Sequence, residues 1–295
     1  MLHNIPCLLP SGQRARLARG ERLVTSVHTA SGGLGELVWH RWQPEASAPR
    51  AEAPPLVLFH GGSGSWTHWI KNIAPQLDAG RTVLAVDLPG FGDSALLENG
   101  SDADAIAPVL AAGLRALLQG QSCDLVGFSF GGLTAALMLA DAPELVRRLV
   151  LVGAPAMGVV AKRQFELKAW RYLESEAEQE AMHRYNLGAL MLHDHRLIDG
   201  LALQVHIANV RRDRAPRRRL ARTDILARTL PRLPCPVHAI YGEHDVLYRG
   251  HLDPLARAFT AAPDFRGLTR IPDAGHWVQF EAPDAFDAAL LLALE

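Results

Sequence analysis

Six short runs of apolar, β-forming residues recur along the chain, and stretches with helical spacing lie between them. The runs are PLVLFH (55–60), RTVLAVDL (81–88), CDLVGFS (123–129), VRRLVLVGAP (146–155), PVHAIYGEHD (236–245) and RGLTRIPDAGH (266–276). None alternates strictly between apolar and polar residues. Each is therefore expected to be buried on both faces, as strands inside a parallel sheet are. Helical candidates fall at 69–79, 104–119, 131–141, 254–262 and 283–294. Strands alternating with helices predict an α/β fold, a mostly parallel sheet with helices on both faces. Two earlier runs, RLVTSVHTA and LGELVWHRW, flank Ser31-Gly32-Gly33 and predict a β-hairpin. As antiparallel edge strands they make the sheet mixed. PEASAPRAEAPP (44–55) reads as a surface loop.

One segment breaks the alternation. Residues 156–232 contain no convincing buried strand. The stretch from Ala161 to His195 has helical composition, with Phe165, Ala169, Tyr172 and Leu173 at helical spacing. LIDGLALQVHIANVRR continues in the same style. An insertion this long is no ordinary crossover. It is expected beyond the carboxyl ends of the strands, where open α/β sheets bind ligands. The domain reading is a core of residues 1–155 and 233–295 with a helical cap at 156–232.

Charge and cysteine content exclude several classes. The formal net charge is −1, so no global basic balance points to nucleic acid. Of 30 basic residues, 27 are arginine, and seven of these (211, 212, 214, 217, 218, 219 and 222) cluster around Asp213. Where arginine is used this freely, the cluster reads as a solvated face of the cap. Cys7, Cys123 and Cys235 are few and far apart, with neither metal-ligand nor disulfide spacing. The amino terminus lacks a signal-peptide pattern, and no run approaches the roughly 20 apolar residues of a membrane span. A cytoplasmic protein with a small-molecule substrate, no nucleic-acid or membrane partner and no cofactor is expected, and a homo-oligomer stays open.

The chemistry centres on Gly127-Phe128-Ser129-Phe130-Gly131. This pattern alone is common, but here it ends a strand run and precedes a helix, FGGLTAALMLADAP. A turn that tight needs glycine at 127 and 131 and presents the serine hydroxyl at the top of the sheet. A serine hydroxyl is a weak nucleophile until a base takes its proton and an acid orients that base. Among 13 histidines, His276 follows the last strand run and precedes the final helix. Asp245 follows the strand before it. The order Ser129, Asp245, His276 suits this fold. Glu243 is the runner-up acid, and Asp273 reads as structural.

Developing oxyanion charge needs donors. His60-Gly61-Gly62-Ser63-Gly64 follows the first central strand, and Gly62 is the favoured donor, with Ser63 close behind. The second is the Phe130 N–H at a helix amino terminus. His60 reads as a turn residue. No Lys-Ser/Thr pair follows the glycines, so this is no phosphate loop.

With HGG (60–62), DLPGFGDS (87–94), GFSFGG (127–132), GEHD (242–245) and GHW (275–277), the chain resembles the α/β-hydrolase family along nearly its whole length. The resemblance implies a mixed eight-stranded sheet, a variable cap after the sixth strand and Ser-His-acid chemistry. It also implies a structural role for Asp87 and Asp93. A serine nucleophile argues against the haloalkane dehalogenases and epoxide hydrolases, which use aspartate. NLGALMLHDHRLIDG and GHWVQFE resemble the meta-cleavage-product hydrolases, which cut carbon–carbon bonds. The chain departs from them at Phe128 and Phe130, where they carry asparagine and methionine. His68 stands where they carry another asparagine, and Arg184 corresponds to a cap arginine.

The leading expectation is hydrolysis of a small or medium, largely apolar carboxylic ester through an acyl-enzyme. Carbon–carbon cleavage of a ring-fission dienoate and a non-catalytic binding role are the alternatives. Expected substrate contacts are Ser63, His68, Arg184 and Trp277. Trp66, Trp69, Trp170, Phe128 and Phe130 are further candidates to make the pocket apolar.

Overall fold

The computed structural model describes residues 8–45, 53–161, 165–198, 200–215 and 218–295. Cys7, Arg217 and most of the 44–55 loop lie outside them.

Eight strands form one sheet: β1 (Glu21–His28), β2 (Leu34–Trp42), β3 (Leu56–Phe59), β4 (Val83–Val86), β5 (Cys123–Phe128), β6 (Val146–Val152), β7 (Val237–Gly242) and β8 (Phe265–Ile271). Their spatial order is β1-β2-β4-β3-β5-β6-β7-β8. The hairpin β1–β2 joins β4 antiparallel, and every other pairing is parallel. All six runs and the hairpin are strands, as expected, but β8, at the sheet edge, is buried only at Ile271 rather than on both faces.

The helices are α1 (Ser11–Leu17), α2 (Ile73–Asp78), α3 (Ala103–Leu118), α4 (Phe130–Asp141), α5 (Glu176–Asn186), α6 (Gly200–Arg211), α7 (Ile225–Thr229), α8 (Leu252–Phe259), α9 (Val278–Glu281) and α10 (Pro283–Ala293). Successive side chains of a strand point to opposite faces, which explains the unbroken apolar runs. Val57 and Phe59 pack with α3, α4 and α8, whereas Leu56 and Leu58 pack with α1, α2 and α10. Among the described residues, no helix is long and apolar enough to cross a membrane.

Between β6 and β7 the described residues contain no strand. The insertion departs from expectation in one respect: residues 165–174 are not helical. Helix α5 starts only at Glu176, where Ser175 and Glu178 form a reciprocal capping box. Upstream, the Asn186 amide brackets Lys168. Its Oδ1 accepts the Lys168 N–H at 2.7 Å, and its Nδ2 donates to the Lys168 carbonyl at 2.9 Å. That bracket takes backbone groups a helix would need, and Tyr172 is left 90% exposed. Hydrogen bonding to a residue 18 positions away overrides the apolar spacing.

Candidate active site

Ser129 sits between the end of β5 and the start of α4 with φ 50° and ψ −120°. Such a backbone costs a non-glycine residue about 1–3 kcal/mol and persists only when its surroundings hold it. They do. The Ser129 N–H donates to the Val152 carbonyl at 2.7 Å, and its own carbonyl accepts the N–H of Gly132 at 2.9 Å. A Cβ on Gly127 would stand 2.5 Å from the Gly132 Cα, and one on Gly131 would stand 2.4 Å from the His60 carbonyl oxygen. Both glycines are thus sterically required, and the turn leaves the serine side chain part-exposed at the carboxyl edge of the sheet.

Two loops bring the remaining groups. His276 Nε2 lies 2.9 Å from Ser129 Oγ, and its Nδ1 lies 2.9 and 3.0 Å from the two carboxylate oxygens of Asp245. Asp245 is fully buried and His276 nearly so. The Leu247 N–H donates to Asp245 Oδ1 at 2.9 Å, which fixes the carboxylate. The histidine loop is held on both sides. The Gly275 N–H donates to Glu281 Oε2 at 2.7 Å, and the Trp277 N–H donates to the Met191 carbonyl at 2.8 Å. Glu243 is exposed, and Asp273 occupies an exposed turn with φ 52°. The acid the fold brings to the histidine is Asp245. An imidazole so placed can take the serine proton, while the buried carboxylate stabilises the resulting charge.

The loop after β3 turns beside the serine. His68 Nδ1 accepts the Gly61 N–H at 3.2 Å. The next residues, Gly62 and Ser63, line a cavity of about 810 Å³ with Ser129 and His276. Phe130 lines it too and occupies the first position of α4, where backbone N–H groups have no intrahelical acceptor. Two sets of backbone donors thus flank the serine.

The insertion supplies much of the opposite wall, including Met157, Leu190, Met191, Arg218 and Arg222. Three expected contacts are corrected. His68 is buried behind the glycine loop, with its ring edge-on to Phe128, and burial holds its pKa well below the usual histidine value. It lies outside the cavity lining and is no cation. Arg184 pairs with Glu180 at 2.8 Å and donates to the Ile198 carbonyl, away from the cavity. Trp277 is fully buried, stacks on Phe280 and donates through Nε1 to the His68 carbonyl at 3.0 Å. Trp66, Trp69 and Trp170 also lie outside the lining. Only Phe128 and Phe130 of the expected aromatics reach it. Asp87 has the structural role expected of it, accepting the N–H groups of Trp66 and Asp93, each at 2.9 Å.

Arg218 and Arg222 belong to the arginine-rich run expected to be a solvated face, and the structure instead puts both on the cavity wall. Asp213, the lone acid within that run, was the one sequence signal that part of it is anchored. Ser63 does line the cavity, but its hydroxyl donates to Asp213 Oδ2 at 2.5 Å.

The family model for the alpha/beta hydrolase fold matches residues 54–176. A 2-hydroxymuconate semialdehyde hydrolase of Pseudomonas sp. (strain CF600) is 31% identical over 250 residues, covering 77% of this chain and 82% of that protein. A 2-hydroxy-6-oxononadienedioate/2-hydroxy-6-oxononatrienedioate hydrolase of Pseudomonas sp. is 28% identical over 251 residues, with 80% and 86% covered. Among solved structures, a carboxylesterase from Bacillus subtilis superposes with a TM-score of 0.68 at 21% identity, covering 99% of this chain and 98% of that one. The chain is a hydrolase and belongs to the α/β-hydrolase family, with a likeness to the meta-cleavage-product hydrolases.

Proposed function

We propose that the protein hydrolyses a carboxylic ester through an acyl-enzyme on Ser129. The observation that carries this reading is the unbroken hydrogen-bonded chain from Ser129 Oγ through His276 to Asp245, open to a cavity whose wall mixes apolar groups such as Phe128, Met157 and Leu190 with polar ones such as Arg222 and Asp224. In this reading His276 takes the serine proton as Oγ attacks the ester carbonyl. The N–H groups of Gly62 and Phe130 receive the oxyanion. His276 then protonates the leaving alcohol and, in the second half, deprotonates the water that releases the acid. Asp245 holds the imidazole tautomer with its proton on Nδ1 and stabilises the charged ring. Residues 156–232 act as the cap that shields these steps from bulk water.

A second reading is carbon–carbon cleavage of a ring-fission dienoate, supported by the names of the relatives. There the same groups attack a ketone carbonyl, and the proton goes to the departing carbon. Arg222, on the cavity wall and without an ion pair among the described residues, is the cation available to an acidic substrate. The ester reading leads because the triad and its donors suffice for it, whereas the cations expected for the dienoate, His68 and Arg184, do not reach the cavity.

One panel tests both: p-nitrophenyl esters of graded chain length, and a ring-fission dienoate followed by loss of its visible absorbance. Clear turnover of a short or medium ester with little on the dienoate is expected. A dienoate rate a hundredfold above every ester reverses the order.

A further inference from the structure

The two sets of oxyanion donors belong to separate segments, the loop after β3 and the start of α4. One guanidinium lies beside both. Arg218 Nη2 donates to Ser63 Oγ at 3.2 Å, and the Arg218 plane lies against Gly62, where an added Cβ would stand 3.3 Å from Nη1. The same group faces the rings of Phe91 and Phe130, with Cζ 5.3 and 6.0 Å from their centroids. Asp213 completes a closed triangle. Its Oδ2 accepts the Ser63 hydroxyl at 2.5 Å and Arg218 Nη1 at 3.1 Å, while its Oδ1 accepts the Ala215 N–H at 3.0 Å.

The triangle bears on a strained residue. Ser63 has φ 53°, a left-handed backbone that a side chain disfavours. Its hydroxyl is the handle by which that conformation is held, and the direction of the adjoining Gly62 N–H depends on it. The triangle is fixed in place from both sides. Arg214 Nη2 donates to the Gly92 carbonyl at 3.2 Å, and Asp102 Oδ2 accepts the N–H groups of Arg219 and Leu220 at 2.5 and 3.1 Å. This part of the arginine-rich run is a strap tied to the core, not a free basic face.

We propose that Arg218, held by Asp213 and Ser63, is a positioning residue that sets the two halves of the oxyanion hole against each other. Electrostatic stabilisation of an oxyanion depends on donors held in place before the reaction. A planar guanidinium can hydrogen-bond to Ser63 and Asp213 through its edge while its face lies toward the Phe91 and Phe130 rings, which an ammonium cannot do. The inference rests on the assignment of Gly62 and Phe130 as donors, but not on which bond is cut.

The test uses whichever of the two substrate classes the full chain turns over. Arg218→Ala and Arg218→Lys are each expected to lower kcat about 10- to 100-fold while KM stays within about threefold. Inhibition by phenylboronic acid, whose serine adduct fills the oxyanion hole, should weaken by a similar factor. Ser63→Gly accepts the backbone conformation and removes only the tether. Combined with Arg218→Ala, it should add little to the larger single loss, because both act through one network. Asp213→Asn keeps the shape and should give an intermediate loss. A KM rise with unchanged kcat would make Arg218 a substrate contact and overturn the proposal. So would fully additive losses, or variants within twofold of wild type. If Ser129→Ala keeps its turnover, the assignment of the site itself fails, separately from the strap.

Discussion

His60 Nε2 accepts the Leu88 backbone N–H at 2.8 Å, and its Nδ1 faces the Gly61 carbonyl at 2.7 Å. Because Leu88 must donate, Nε2 must be unprotonated, and the ring proton sits on Nδ1. The imidazole is therefore neutral and clamps the turn that leads into the glycine loop after β3. Full burial pushes its pKa down to about 4.

Acid stability follows from this. A histidine whose folded pKa lies below its unfolded value resists protonation only in the fold. Stability is complete above the unfolded pKa near 6.5 and is lost as pH falls toward the folded one. Burial also takes His206 down to about 3 and lowers His68, with the same sign. Each such group costs roughly 1.4 kcal/mol per pH unit across its window. Urea unfolding at pH 7 and pH 5 is expected to show a loss of roughly 2 kcal/mol or more at the lower pH. An unchanged midpoint would mean that these rings ionise in place.

Ser129→Ala should keep the fold and lose turnover by several powers of ten. Asp245→Asn should cost on the order of 10⁴ in kcat, because the imidazole then sits in the wrong tautomer. Glu243→Gln should stay within about threefold of wild type, as befits an exposed side chain. Assaying all three on one substrate, with circular dichroism to verify folding, checks the assignment. A Glu243 variant tenfold worse than the Asp245 variant would move the acid.

Much of this was legible in the sequence, for identifiable physical reasons. Two-sided burial leaves Val57 to Phe59 and Leu149 to Val152 apolar without alternation, so strands show as runs. Steric closure at Gly127 and Gly131 restricts those positions to one residue type, so the serine turn shows as a motif. The substrate wall has no such constraint. Arg184 has Glu180 one helical turn before it, which takes up its charge, whereas only the path of the insertion brings Arg218 to Ser63. Likewise, the spacing of Phe165, Ala169, Tyr172 and Leu173 suggests a helix, but Asn186, well downstream, engages Lys168 and prevents it.

Arg184 offers a direct check on that path. Its ion pair with Glu180 is surface-exposed and of the i, i+4 type, worth about 0.3–0.5 kcal/mol. Arg184→Ala is expected to leave kcat and KM within about twofold on both esters and the dienoate. Arg222→Ala should raise KM for the dienoate alone. A large dienoate-specific loss on changing Arg184 would show that the insertion takes another path in the working enzyme.

Asp287 gives a stability signal of opposite sign. Its carboxyl is nearly buried on α10, where Oδ1 accepts a hydrogen bond from Asn72 Nδ2 at 3.2 Å and no cation among the described residues pairs with it. Burial, the largest cause, pushes its pKa up to about 7, although the Asn72 hydrogen bond works against the rise. The fold thus prefers the protonated acid. Its contribution is complete below the unfolded value near 4 and is lost as pH rises through about 7. An asparagine at 287 keeps an acceptor for Asn72 and never ionises. Asp287→Asn should therefore match wild type in Tm below about pH 4 and exceed it at pH 8 by at least about 3 °C. Thermal melts of the two proteins at half-unit intervals should diverge steadily from about pH 4 and level off above pH 7. Parallel curves over that range would mean that Asp287 is already ionised in the folded protein, and the burial of an uncompensated carboxylate beside Asn72 would then need another source of stabilisation.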